Sequence, residues 1–93
     1  MARVVFTESY TRRAIRFLRK HPEIQRQYEK TLQLLEINPF HPSLRLHKLS
    51  GRLRDVHSVS INCSYRITLE FLISDATIVP VDVDLQEVNL LFD

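Results

Sequence analysis

The hydrophobic pattern of this 93-residue chain changes period at its only glycine, Gly51. Before Gly51 apolar residues recur every three or four positions, which is the spacing of an amphipathic helix. After Gly51 they alternate with polar residues, which is the spacing of a half-buried strand. The sequence therefore predicts a single α+β domain, residues 1–93, in which two helices cover one face of a small sheet.

The first half of the chain predicts a short strand at Ala2–Thr7 and two helices, the first of which is capped by Thr7 or Ser9. The first helix ends near Lys20, and the second begins near Pro22, because proline fits the first position of a helix. Its pattern stops at Asn38–Pro42, where two prolines oppose helix formation. We expect the helices to form an antiparallel hairpin that buries two apolar stripes, Tyr10, Ala14, Phe17, Leu18 and Ile24, Tyr28, Leu32, Leu35.

The second half predicts three strands, which with the first strand give the order β-α-α-β-β-β and a mainly antiparallel sheet of about four strands. A turn at residues 62–64 places Ser60 opposite Arg66 on the polar, open face. The alternation that follows predicts Ile67, Val79 and Val81 in the core and Asp82 on the face of Arg66. Pro80 cannot donate to a strand ladder, so we expect it at an edge or a bulge.

Charge is distributed unevenly along the sequence. Residues 1–66 carry all 13 lysines and arginines and five acids, a net charge of +8, whereas residues 67–93 carry six acids and no base. The basic part suits RNA, DNA or an acidic protein segment, although the two parts could also pair with each other. No apolar run is long enough to span a bilayer and no signal peptide is evident, which predicts a cytoplasmic protein without a membrane partner.

Candidate functional residues concentrate between Leu44 and Arg66. His47 offers a titratable group near neutral pH, Lys48 a fixed charge, and Arg66 a guanidinium that can hold a phosphate by two contacts. Alternatively, His47 is a solvated loop residue, and Arg66 pairs with a carboxylate of its own face, Glu70, Asp82 or Asp84. His57 follows the phase of a half-buried strand residue. No nucleotide-binding or metal-ligand spacing occurs, and the single cysteine, Cys63, reads as a turn residue, so we expect no cofactor and no metal.

Several short motifs, in this order and spacing, resemble the RelE/ParE superfamily of type II toxin–antitoxin toxins, in particular the YafQ and RelE/StbE-type branch. The resemblance covers nearly the whole chain and implies a small sheet backed by two N-terminal helices. It rests on the helix pair and on the segments Asn38–Pro42, Leu46–Gly51, Ser58–Ile61 and Tyr65–Ile67.

The resemblance implies a ribosome-dependent endoribonuclease that cuts mRNA, is held inactive by a cognate acidic antitoxin, and meets operator DNA only in the antitoxin complex. It assigns His47 to acid–base chemistry, Lys48 to a phosphate contact and Arg66 to transition-state charge. The neighbouring bases Arg45, Arg52 and Arg54 are further candidate RNA contacts. The chain departs from the family pattern at Ser60, where arginine or histidine is common, and at Leu85 and Asn89, where histidine and tyrosine are expected.

These departures keep two other interpretations open. The first is a protein-binding role, as a ParE-like inhibitor or as an inactive toxin that binds an antitoxin or an operator complex. The second is a generic basic α+β RNA-binding domain, which needs no antitoxin.

Overall fold

In a computed structural model, which describes residues 1–49 and 56–85, two helices pack on one face of a five-stranded sheet. The predicted α+β class is confirmed. The helices are α1 (Glu8–Lys20) and α2 (Gln25–Ile37). The strands are β1 (Arg3–Val4), β2 (His47–Lys48), β3 (Val56–Ser60), β4 (Tyr65–Leu72) and β5 (Thr77–Leu85).

Helix α1 begins at the predicted cap and buries the predicted stripe. The Thr7 hydroxyl accepts the backbone N–H of Tyr10 at 3.1 Å, which satisfies one of the free donors of the first turn. Tyr10 and Ala14 are buried, whereas Phe17 and Leu18 are half-buried. The outward residues are mostly basic, so the stripe fixes α1 on the sheet and leaves a cationic surface.

Helix α2 follows a 3-10 turn at Pro22–Ile24, so the helical region begins at the predicted proline. Its stripe is also the predicted one, with Ile24, Tyr28 and Leu35 buried. The hydroxyls of Tyr10 and Tyr28 meet at 2.8 Å inside the core and join the two helices. Neither helix of the described ranges is long and apolar enough to cross a membrane.

The strand order across the sheet is β1-β5-β4-β3-β2. Strand β1 runs parallel to β5, and the other pairs are antiparallel. The sheet therefore has five strands rather than about four, because the two residues of β2 extend it beyond β3. The predicted pairing of Ser60 with Arg66 is confirmed, and the Ile61 N–H donates to the Tyr65 carbonyl at 2.8 Å beside the turn.

A β-bulge in β5 corrects the predicted strand phase. Opposite β4, Pro80 pairs with Leu69 and Asp82 pairs with Thr68, so Val81 is an extra residue without a partner. Val81 is 38% exposed rather than in the core, and Val79, paired with Glu70, is only half-buried. The buried residues on either side of the bulge are instead Ile78, Pro80 and Val83.

The position of Pro80 beside this bulge confirms the prediction made for it. Proline lacks the N–H that a regular ladder needs, so the register shift occurs where one hydrogen bond is already missing. The Arg13 guanidinium donates to the Val81 carbonyl at 2.7 Å and fastens α1 to the bulge. Ile67 is fully buried as predicted, because its strand, β4, keeps a regular alternation.

Candidate nucleic-acid interface on the open sheet face

The helices cover one face of the sheet, and we call the opposite side the open face. Directly paired residues of antiparallel strands share a face. One row across the open face is His47, Ser58, Thr68, Asp82, and the next row is Ser60, Arg66, Asp84. His47 and Arg66 thus share the open face, roughly 12 Å apart, because Arg66 lies two strand spacings across the sheet and two residues along it from His47. Their long side chains can approach one phosphodiester group from two sides.

His47 lies at the exposed edge of this face, in β2. Its Nδ1 atom is 3.1 Å from the carbonyl oxygen of Arg45. Arg45 ends a 3-10 turn, Pro42–Leu44, in a left-handed conformation with φ 51° and ψ 47°. The structure therefore places His47 in a strand with one ring nitrogen bonded to the backbone, rather than in a solvated loop.

Arg66 lies beside a carboxylate, which was the alternative interpretation of this residue. Its Nε atom is 3.4 Å from Oδ1 of Asp84, and the two side chains are 30% and 48% exposed. This distance is longer than the roughly 2.7–2.9 Å of a strong charge-assisted hydrogen bond. Within residues 1–49 and 56–85, Arg66 makes no other polar contact, so its terminal amino groups retain donors for a phosphate.

Ser58 lies between His47 and Thr68 and was not singled out from the sequence. It is 1% exposed, and its hydroxyl has no hydrogen-bond partner among the described residues. A buried hydroxyl without a partner costs about 1–3 kcal/mol relative to a paired one. A small polar residue in an alternating strand gives no sequence signal of this kind, because the missing partner depends on neighbouring strands.

The structure describes two of the four predicted RNA contacts, Arg45 and Lys48. Arg45 is exposed in the loop before β2. Lys48 pairs with His57, whose face is the helix-covered one, so Lys48 and His47 do not share a face. Arg52 and Arg54 lie outside the described residues, as does Asn89. The backbone of Leu85 ends β5 opposite Tyr65.

The other three histidines have packing or capping contacts. His57 is buried rather than half-buried as predicted, and its ring centroid lies 5.7 Å from that of Phe71. His21 caps the end of α1 with its ring tilted against that of Phe17, at a centroid distance of 4.7 Å, and His41 accepts the Ser43 N–H at 3.2 Å. No group of three His, Cys, Asp or Glu side chains within the described ranges is arranged to hold a metal ion.

A second candidate surface lies on the helices and combines an apolar groove with a basic rim. The groove has a volume of about 300 Å³ and is lined by Phe6, Tyr10, Thr11, Ala14, Ile15, Leu18 and Tyr28. Phe6 and Ile15 are each about half exposed, at 48% and 49%. Three arginines surround Ile15 on the outer side: Arg12, Arg16, Arg19. The sequence signal was an isoleucine among arginines, outside the buried stripe.

The tyrosines at the base of this groove are kept protonated. Burial, followed by the adjacent Tyr28, raises the pKa of Tyr10 well above its usual value. Burial also raises the pKa of Tyr28. Each phenol favours its neutral form because an ionised oxygen would lose its hydration.

The sequence matches no protein-family model, and it matches no curated protein sequence. The fold, however, has close structural relatives. YafQ from E. coli strain BL21(DE3) superimposes with a TM-score of 0.72 over 92% of this chain and 94% of that chain, at 10% identity. RelE of the archaeal RelE–RelB complex from Pyrococcus horikoshii OT3 superimposes with a TM-score of 0.70 over 95% of this chain and 98% of that chain, at 19% identity.

The YoeB/ParE toxin from Agrobacterium tumefaciens is similar to the same extent, with a TM-score of 0.70 over 90% and 98% and 14% identity. A structure of the E. coli DinJ–YafQ toxin–antitoxin complex is also similar, with a TM-score of 0.72 over 90% of this chain. This chain therefore has the fold of the RelE/ParE superfamily toxins. The resemblance inferred from its short motifs is confirmed at the level of the fold.

Proposed function

We propose that this protein is the toxin of a type II toxin–antitoxin module and a metal-independent, ribosome-dependent mRNA endoribonuclease. The observation that carries the proposal is the presence of His47 and Arg66 on one open sheet face of a RelE/ParE-type fold. An imidazole and a guanidinium are sufficient to begin cleavage of RNA by its own 2′-hydroxyl.

In the proposed reaction, a ring nitrogen of His47 takes the proton of the ribose 2′-hydroxyl. The 2′-oxygen forms a bond to the adjacent phosphorus, and the bond from phosphorus to the 5′-oxygen of the next nucleotide breaks. The products are a 2′,3′-cyclic phosphate and a 5′-hydroxyl. Arg66 stabilises the negative charge that develops on the phosphoryl oxygens. Water supplies the proton of the leaving oxygen, because Leu85 offers none.

We expect this activity to be weak, for two reasons. A positioned general acid typically contributes about 10²–10⁴ in rate, and leucine and asparagine replace the histidine and tyrosine expected at positions 85 and 89. In addition, Asp84 competes with the substrate phosphate for Arg66. Losing one donor to a developing oxyanion costs about 10²–10³ in rate, so partial occupation of Arg66 is also significant.

The proposed partner is a cognate antitoxin with an acidic, partly disordered segment that orders as it binds α1 and the Arg45–Arg54 segment. Apolar side chains of that segment would fit the groove at Phe6 and Ile15, and its carboxylates would lie against the arginine rim. Contact with operator DNA would occur only through the complex with the antitoxin.

Cleavage should be tested with mRNA on purified ribosomes, with cut sites mapped by primer extension. We expect slow cleavage by the parent and a gain for the Leu85→His, Asn89→Tyr double variant. The gain should disappear when Arg66→Ala is added. Asp84→Asn should raise the parent rate by releasing Arg66, whereas Asp75→Asn, in an exposed turn, is the matched control. Cleavage by the parent that survives both His47→Ala and Arg66→Ala would contradict the assigned roles.

The second candidate function is inhibition of a protein target, as by a ParE-like toxin of the gyrase-directed type. The contact between Arg66 and Asp84 favours it, because a neutralised guanidinium suits a surface that no longer binds phosphate. Inhibition of DNA supercoiling by the parent, without cleavage of ribosome-bound mRNA by any variant, would select this function.

A further inference from the structure

The backbone of Arg45 controls the chemistry available to His47. We infer that the Arg45 carbonyl holds a proton on Nδ1 of His47 and thereby leaves Nε2 as the proton-accepting atom. This inference rests on the proposed function, because it concerns the histidine assigned there to proton transfer. Arg45 is then a positioning residue through its backbone, in addition to a candidate RNA contact through its side chain.

The hydrogen bond determines which tautomer is present. Nδ1 of His47 lies 3.1 Å from the Arg45 carbonyl oxygen, and a carbonyl oxygen only accepts hydrogen bonds. Nδ1 must therefore carry the proton, and in the neutral ring Nε2 then has the free lone pair. A neutral histidine without such a contact prefers the opposite tautomer in water, with its proton on Nε2. The Arg45 contact thus selects the less common form of the base.

The conformation of Arg45 makes this contact possible. Its φ of 51° and ψ of 47° are left-handed, a region that strains a residue with a side chain. The Arg45 N–H donates to the Pro42 carbonyl at 3.2 Å, while its own carbonyl meets His47 two residues later. Glycine would adopt this conformation without strain, so the position combines a strained backbone with a cationic side chain.

The chain contains a matched control for this conformation. Ala76 is the other residue of the described ranges with a positive φ that is not glycine, at 56°. It also ends a 3-10 turn, and its N–H donates to the Ile73 carbonyl at 3.2 Å. Two residues later the chain has buried Ile78 instead of a histidine. A substitution at Ala76 therefore tests the effect of the left-handed backbone strain without any contact to a histidine.

The test is the tautomer of His47, measured by two-bond 1H–15N correlation spectra of the imidazole rings at alkaline pH. His47→Gln assigns the signals among the four histidines. We expect a proton on Nδ1 in the parent and in Arg45→Gly, because glycine keeps the left-handed backbone. Arg45→Val should invert the tautomer ratio, because a β-branched residue avoids this region. Ala76→Val should leave the His47 signals unchanged.

A parent protein with the proton on Nε2 would overturn the inference, and so would an unchanged tautomer in a folded Arg45→Val. If Arg45→Val does not fold, the spectra of the parent and of Arg45→Gly still show which ring nitrogen of His47 carries the proton. The spectra require no catalytic activity, so the inference and the proposed ribonuclease function can fail separately. In the Leu85→His, Asn89→Tyr background, Arg45→Gly should raise KM with kcat kept, whereas Arg45→Val should lower kcat.

Discussion

The two sides of the sheet differ in how completely their polar groups are hydrogen-bonded. On the helix-covered side, the two buried tyrosine hydroxyls pair with each other and the Thr31 hydroxyl donates to the Gln27 carbonyl at 2.8 Å. On the open face, the Ser58 hydroxyl has no partner among the described residues, and Arg66 makes one long contact to Asp84. The covered side therefore gains stability from its polar groups, whereas the open face retains unused hydrogen-bonding capacity.

This difference indicates where the chain is free to bind a ligand. Unpaired or loosely paired polar groups reduce stability, and in native proteins they concentrate at functional sites. Ser58 and Arg66 on the open face have this character. The core under the helices does not, which supports assigning catalysis to the open face and a partner contact to the groove on the helices.

The largest expected effect tests which residues belong to the covered face. Ile67→Asp places a charge at a fully buried site and should remove most of the roughly 5–15 kcal/mol that stabilises a domain. Val81→Asp should change the unfolding free energy by less than about 1 kcal/mol, because Val81 is an exposed bulge residue. Urea melts of both variants measure this. Equal destabilisation by the two would show that the bulge is wrongly placed.

An intermediate effect is expected from the tyrosine pair. Burial raises the folded-state pKa of Tyr10, whereas an unfolded tyrosine has a pKa of about 10. Above that pH the unfolded state binds fewer protons than the folded state, so stability should fall as the pH rises further. Below it the contribution is fully present. Thermal melts from pH 8 to 11 should show this loss, and it should disappear in the Tyr10→Phe, Tyr28→Phe double variant.

The single variant Tyr10→Phe should cost about 1–3 kcal/mol, because the Tyr28 hydroxyl loses its buried partner. Tyr65→Phe is the control, since Tyr65 is only half-buried and its hydroxyl bonds the ring of His21 at 3.2 Å. If the Tyr10→Phe, Tyr28→Phe double variant loses as much stability at alkaline pH as the parent, groups other than these tyrosines cause the loss.

The smallest effect compares one polar group from each face. Ser58→Ala should leave stability unchanged or raise it slightly, because the hydroxyl it removes has no partner in the described part of the chain. Thr31→Val removes a paired hydroxyl of the covered side and should cost about 0.5–1.5 kcal/mol. Chemical denaturation resolves the two. A larger loss for Ser58→Ala than for Thr31→Val would remove the contrast between the faces.

Local pattern was sufficient for the features that depend on near neighbours in the chain. The stripes of α1 and α2, the Thr7 cap and the pairing of Ser60 with Arg66 follow from residues a few positions apart. The period of an element and the length of a turn determine these features, and both are visible in the sequence. His47 and Arg66 could likewise be named as candidate functional residues from the sequence alone.

Only the tertiary structure decided the features that depend on pairing between distant segments. Val81 leaves the core because β5 must match β4 on both sides of Pro80, and no alternation within β5 reveals that mismatch. Arg66 has Asp84 as its partner rather than Asp82 or Glu70 because the strand register brings Asp84 opposite it. The Arg45 carbonyl reaches His47 only because the backbone of Arg45 is left-handed. A sequence predicts this conformation at a glycine but rarely at an arginine.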